Sequence, residues 1–429
     1  MNIAVYCRDQ YRVHDHPALQ LSLEAIQKDS TNKVIFFTSV EENPVVDLET
    51  LTEPLQRGKW LCGPHRMRFQ SQAIDSFQKK LNAFGIPLMV NRNSSFMESF
   101  MNLNHENKVN TLILADDAEI NADDLDRVKS LGVEILLVHG NRLFNKLPIE
   151  LNLLPKVFTD FKKSILNQPD APITMNCNAP THSSQFKSEA DSEIDPKSVV
   201  PFQGNEEQAL NRLHHYFINS DGLKNYRSTR NGMIGVDYSS KLSVFLALGS
   251  LSVKTAWAAI DAHEAVTGKN DGSEWMRSEL LWREFFKWTA VRYGNSFYSP
   301  EGIQNKTKEC KTDLKSFERW TLGKTNEPFV DANMRELRAT GYMSNRGRQN
   351  VASYLVHELN LPWQWGARYF EWMLVDFDPT QNYGNWAYLA GVGCDPRSFG
   401  NQPPRFFNIK KQANDYDPYG RYQKFWLID

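Results

Sequence analysis

In the first third of the chain the apolar residues fall in short, nearly unbroken runs, at residues 3–6, 34–37, 86–90, 111–115 and 133–138. Runs with so little polar alternation read as β-strands covered on both faces. Between them the period changes, and Ile74, Phe77, Leu81 and Phe84 repeat at helical spacing. Alternation of this kind predicts an α/β domain over residues 1–140, built on a doubly wound parallel sheet. From residue 205 to 429 the pattern is helical throughout: Leu210, Leu213 and Phe217 form one apolar stripe, and residues 257–266 and 280–293 form others. Residues 141–204 lie between the two regions. Within them, residues 168–200 trade large apolar side chains for Pro, Asn, Ser, Asp and Glu, too little burial to offset the entropy of ordering. The expected architecture is therefore α/β plus all-α, joined by a long linker.

A length of 429 residues fits two domains. No run of about 20 apolar residues is present, so no span of a membrane is expected. The N-terminus passes straight into strand-like sequence without a basic, signal-type start, which points to the cytoplasm. Cys7, Cys62, Cys177, Cys310 and Cys394 are odd in number and form no CxxC pair, so they read as reduced thiols rather than a disulfide frame or a zinc site. A formal charge of −2 argues against a nucleic-acid partner for the chain as a whole. A basic rim around one cavity would still hold phosphates; Arg335, Arg338, Arg346, Arg405, Lys410, Lys411 and Arg421 are candidates, each otherwise a surface charge.

No GxGxxG follows the first strand, which sets aside a nicotinamide-type dehydrogenase. The charged run from Cys7 through Arg8, Asp9, Arg12 and His14 to Asp15 stands there instead and reads as a loop packing against its own helix. Further on, Tyr226 precedes Ser239, Ser240, Lys241, Leu242 and Ser243, just before an apolar helix. Hydroxyls, a cation and free helix N–H groups make a phosphate cradle, although serine is also a common helix cap. Glu279, Trp282, Arg283 and Phe286 share one helical face, where a Glu–Arg pair four apart reads as an ion pair beside bulky aromatics. The densest chemistry lies late, in Asn345, Arg346, Arg348 and Gln349, then Asp376, Asp378, Asn382, Trp386 and Tyr388. Two carboxylates, a carboxamide and arginines could encircle a flat polar aromatic ligand.

The runs from Met343 to Gln349 and from Asn382 to Ala390 resemble the flavin-binding core of the photolyase/cryptochrome family, in its DASH branch, and the similarity extends over most of the chain. The resemblance implies noncovalent FAD, with its diphosphate on Ser239 to Ser243 and Tyr226. It implies that Arg348 and Asp376 lie at the redox edge of the isoalloxazine, Asp378 near its pyrimidine edge and Asn382 opposite N5, with Arg283 also on the cofactor or phosphate. Glu279, Trp282 and Asn345 would meet a cyclobutane pyrimidine dimer, Glu279 as a buried proton donor. Gln349 and Tyr388 follow the DASH pattern; Tyr388 replaces a second stacking tryptophan, a loss of about 1–3 kcal/mol of base stacking that favours lesions in single-stranded DNA. Arg346 would join the DNA contacts. Trp386 and Trp363 match the inner members of an electron-carrying tryptophan series. Cys310 stands where the outer member belongs, so slow or rerouted photoreduction is expected, for instance through Trp365. Glu119 matches a residue that holds a 5,10-methenyltetrahydrofolate antenna in relatives, and reads equally as a solvated carboxylate at a helix start. The implied activity is light-driven dimer repair by a monomer. The alternative is a blue-light photoreceptor with little or no repair, although the end of the chain shortly after Trp426 gives no long regulatory tail.

Overall fold

The computed structural model describes residues 1–55, 60–116, 120–166, 194–400 and 402–428. Five strands, β1 (Asn2–Tyr6), β2 (Lys33–Val40), β3 (Leu88–Arg92), β4 (Thr111–Ala115) and β5 (Glu134–Val138), form one parallel sheet in the order β3-β2-β1-β4-β5. Strand order reverses at β1, and loops leaving the C-terminal ends of β1 and β2 open a crevice there, as doubly wound sheets do. β4 is buried at every position, as its unbroken apolar run requires. β5 departs from the expectation of two covered faces. It is an edge strand, and Leu136 and Leu137 are exposed.

The helix Pro64–Asn82 buries Ile74, Phe77 and Leu81, as its spacing predicted. Phe84 lies past the end of that helix and is exposed. One face of the sheet packs with Phe96, Phe100 and Leu103 into a separate apolar cluster. The other face shares a continuous core with the helical half, from Ile3 and Phe36 through Phe245 to Trp386 and Trp426.

The charged loop after β1 is the main correction at this level. Arg12 donates to the Asp15 carbonyl just ahead of the helix that follows, and the loop also docks the sheet onto the helical half, which the sequence reading did not foresee. Arg12 Nη1 donates to the Gly249 carbonyl at 3.0 Å, and Ser252 Oγ donates to Asp15. The buried Glu206 accepts from the backbone of Val13 and His14 and from Lys80 Nζ. Gly249, at φ 62°, lets the backbones meet, because a Cβ there would run into Asp9. Residues 141–166, placed in the connector on sequence, contribute Leu143, Phe144, Phe158 and Phe161 to the core. The buried Glu284 binds the backbone N–H groups of Leu143 and Phe144 at 2.8 and 3.1 Å. The polar run expected to be disordered lies mostly outside the described residues. Among the described residues, no helix is long and apolar enough to cross a membrane.

Candidate functional site

A cavity of about 540 Å³ opens in the helical half, and nearly all the sequence-predicted residues line it. They come from six segments: the helix Gly222–Thr229 with Tyr226, the loop leading into the helix Ser243–Leu248 with that helix's first residue, the helix Asp271–Tyr293, the helix Asn345–Ser353, the turn with Asp376 and Asp378, and the helix Pro379–Ala390.

One part of the cavity gathers hydroxyls and a lysine. Lys241 Nζ donates to Ser239 Oγ at 2.9 Å and stands over the Tyr238 ring. Lys241 adopts φ 58°, a left-handed conformation that costs a non-glycine residue about 1–2 kcal/mol. Beneath the loop, the buried Arg212 donates to the carbonyls of Ser240 and Ser239 at 2.8 and 3.0 Å. That pinning keeps the serine hydroxyls and the lysine turned toward the cavity. Burial, and then the Arg212 charge, hold the Lys241 ammonium well below its ordinary pKa.

Another part carries paired charges. Arg348 Nη2 donates to both oxygens of Asp376 at 2.9 Å, and its Nε to the Met343 carbonyl at 2.9 Å. Burial opposes the Arg348 charge, but Asp376 and Tyr342 outweigh it and raise the guanidinium pKa. Asp378 caps the helix Pro379–Ala390 through the N–H groups of Thr380 and Gln381. Its second oxygen lies 3.7 Å from Arg283 and 3.6 Å from Lys287. Burial would raise the Asp378 pKa, but these two cations and the capping bonds prevail and bring it down to about 2. Asn382 Nδ2 donates to the Ala367 carbonyl at 2.9 Å, which leaves its amide oxygen as the acceptor for a ligand.

The face of helix Asp271–Tyr293 changes the sequence reading. Glu279 and Arg283 do not pair with each other. Glu279 pairs with Arg230 and accepts from Trp275 Nε1 at 3.0 Å, whereas Arg283 donates to the Asn141 carbonyl at 2.7 Å beside Asp378. The expected burial of Glu279 is absent, since its side chain is 33% exposed. Arg230, four residues after Tyr226 and without a role on sequence, lines the cavity and pairs with Glu279 there. Trp282 stacks on Phe158 at 3.9 Å and meets Tyr388 edge-on at 6.1 Å, so one indole face is already covered.

Asn345, Gln349 and Tyr388 also line the cavity. Arg346 is held by Asn231, Gln412 and the Tyr416 ring. Of the proposed basic rim, Arg346 and Arg405 reach this cavity, whereas Arg335 turns to the Leu427 carbonyl and Arg338 toward Leu322. Trp386 lines the wall beside Phe370 at 5.2 Å and Trp320 at 6.2 Å, and Trp363 packs edge-on against Tyr383 at 6.1 Å. A smaller second cavity adjoins the first at Arg283, Phe377 and Asp378, and reaches Arg8, Asp9 and Glu41 at the strand ends. Glu119 lies outside the described residues.

A cavity lined by a serine–lysine group, an arginine–carboxylate pair, a second carboxylate, a carboxamide and aromatic side chains suits a flavin dinucleotide. Comparison with known proteins agrees. The family model "DNA photolyase" matches residues 3–179 and "FAD binding domain of DNA photolyase" residues 275–428. A cryptochrome DASH of Synechocystis sp. is 35% identical, over 99% of this chain and 87% of that one. A cryptochrome DASH of Gloeobacter violaceus is 36% identical, over 99% and 85%. The crystal structure of a Synechocystis cryptochrome superposes with a TM-score of 0.83 at 34% identity, covering 99% of this chain and 88% of that one. A class III photolyase of Agrobacterium tumefaciens shares the fold, with a TM-score of 0.76 at 23% identity. The chain belongs to the photolyase/cryptochrome family of light-dependent, FAD-binding flavoproteins, in its cryptochrome DASH branch.

Proposed function

We propose that the protein repairs cyclobutane pyrimidine dimers in single-stranded DNA, using light and reduced FAD, as a cytoplasmic monomer. Bound in the cavity, reduced FAD would supply the chemistry of light-driven one-electron donation, and this chain's residues would hold it beside the lesion. The protein's own part is to hold and to exclude. Ser239, Ser240, Lys241 and Ser243 would hold the diphosphate, Arg348 with Asp376 and Asp378 would hold the ring edges, and the Asn382 carboxamide oxygen would accept from a protonated ring nitrogen.

The observation that carries the reading is the placement of Trp282, Tyr388, Asn345 and Gln349 on the walls of the same cavity as the cofactor residues. A flipped lesion would meet the cofactor there. Tyr388 offers a smaller stacking plane than an indole would, so lesions that are already unpaired, and cost least to extrude, are favoured. Cys7, Cys62, Cys310 and Cys394 are free thiols, in keeping with a reducing compartment. A 5,10-methenyltetrahydrofolate antenna belongs to the same proposal.

The test is illumination of the reduced protein with dimer-containing oligonucleotides. Splitting in single strands, with little in duplexes, is the expected result. Absence of splitting in both would overturn repair and leave the blue-light receptor reading in its place.

A further inference from the structure

Of the chain's 11 tryptophans, all within the described residues, Trp275 alone is exposed, at 39%; the others are buried or half-buried. It stands on the helix Asp271–Tyr293, four residues ahead of Glu279 and seven ahead of Trp282. Those spacings put the three side chains on one helical face. Glu279 and Trp282 line the cavity. At 1.5 Å per residue the backbones of the two tryptophans lie about 10 Å apart along the helix, the inner one in the cavity wall and the outer one in solvent.

The exposed ring is held in one orientation. Its Nε1 donates to Glu279 Oε1 at 3.0 Å, which fixes the indole edge. The Arg227 and Arg230 guanidinium carbons lie 5.4 and 5.0 Å from the ring centroid, and both come from the neighbouring helix Gly222–Thr229 and its C-cap. Arg230 is retained by Glu279. Arg227 pairs with Asp271 at 2.5 Å, where the two side chains are 55% and 73% exposed, and an ion pair so open to water is weak enough to yield to another anion. A large, oriented aromatic plane beside an exposed cation is the arrangement that takes an unpaired base: the ring stacks on the base, and the cation meets its phosphate.

We propose that Trp275, with Arg227, forms a stacking subsite for an unpaired base flanking the lesion, outside the cavity that takes the lesion itself. This rests on the single-stranded DNA reading of the cavity. Stacked neighbours lie about 3.4 Å apart along a strand. Bases about 10 Å apart, one against Trp282 and one against Trp275, have therefore left the stack. In a duplex the flanking base must also give up its pairing partner, a cost that a single strand does not carry. The subsite thus selects against duplexes independently of Tyr388.

The experiment measures binding of the FAD-loaded protein, in the dark, to single-stranded oligonucleotides carrying one dimer, by fluorescence anisotropy. The strands are intact or carry an abasic residue at one of the two nearest positions on either side of the dimer. For wild type, one of these abasic positions should weaken binding about tenfold. Trp275→Ala should weaken binding of the intact strand by about as much and lose nothing further on that abasic strand, whereas Trp275→Phe should keep most of the affinity. Binding of the same dimer in a duplex should be alike in all three proteins. An intact-strand affinity unchanged in Trp275→Ala, or a loss that adds in full to the abasic loss, would overturn the proposal. So would a wild type indifferent to every flanking base, an outcome that needs no variant. Failure of wild type to bind dimer-containing strands at all would instead remove the repair reading, and this subsite with it.

Discussion

The residue scale is where opposing electrostatic effects are decided. Asp378 and Glu336 are both buried carboxyls, yet their pKa values move apart, because Asp378 faces two cations and two capping N–H groups, whereas Glu336 faces an unpartnered side and a hydroxyl. Burial raises Glu336 from 4.5 to about 7, against the Tyr422 bond and the Lys241 charge. A carboxyl raised in the folded state stabilises fully below its unfolded value and loses that contribution as pH climbs through the folded one. The stability due to Glu336 should thus fall between about pH 4.5 and 7 by about 3 kcal/mol, and Glu336→Gln should flatten that slope in urea titrations at several pH values. Asp378 runs the other way. Its contribution is present above 3.8 and lost as pH falls toward about 2, and Asp378→Asn should remove that acid-side loss. Replacing Asp376 by Ala leaves the Arg348 guanidinium unpaired in the wall. A cost of about 3 kcal/mol is expected, with loss of bound FAD read from the visible spectrum of the purified variant.

The element scale governs the aromatic relay. The helices Trp363–Met373 and Pro379–Ala390 press together where Gly366 meets the Trp386 ring, with no room for a Cβ. Gly366→Ala should displace that indole from the cavity wall and change the flavin fluorescence of the holoprotein. From Trp386 the rings continue to Trp320 at 6.2 Å, then to Tyr369 at 5.6 Å and to the half-buried Trp372 at 6.1 Å. A second branch runs from Trp320 through Phe317 at 6.0 Å to Trp365 at 5.3 Å. Cys310 sits beside the turn ahead of Trp363, since Lys311 N–H binds the Asn360 carbonyl at 2.8 Å. Trp320→Phe is therefore expected to slow photoreduction of the oxidised protein more than Trp363→Phe does, and Cys310→Trp to quicken it, each followed by absorbance under blue light. The apolar stripe of residues 280–293, on the helix that carries Glu279 and Arg283, was legible as periodicity. The contacts of Glu279 and Arg283 were not, because residues four apart face the same way yet still choose partners from other helices, here Arg230 and the Asn141 carbonyl.

At the scale of the whole molecule, the sheet and the helical half share one apolar core and are clamped by buried carboxylates, Glu206 on the loop after β1 and Glu284 on residues 143–144. Unfolding followed by backbone circular dichroism and by release of FAD should show coincident midpoints. Glu284→Ala should lower both together by about 2 kcal/mol, through backbone N–H groups left buried without acceptors. Midpoints that separate would mean halves that fold independently. The chain by itself determined its strands and several of its helical stripes, because hydrophobic period is a local property of a sequence, and the resemblance carried by its late motifs named many of the residues that line the cavity. Only the tertiary structure decided that the charged loop after β1 is a clamp between the halves, that Glu279 is paired and part-exposed, and that Glu336 is buried against Tyr422. Burial and partnership depend on which distant segments arrive at the same place, and no local pattern encodes that.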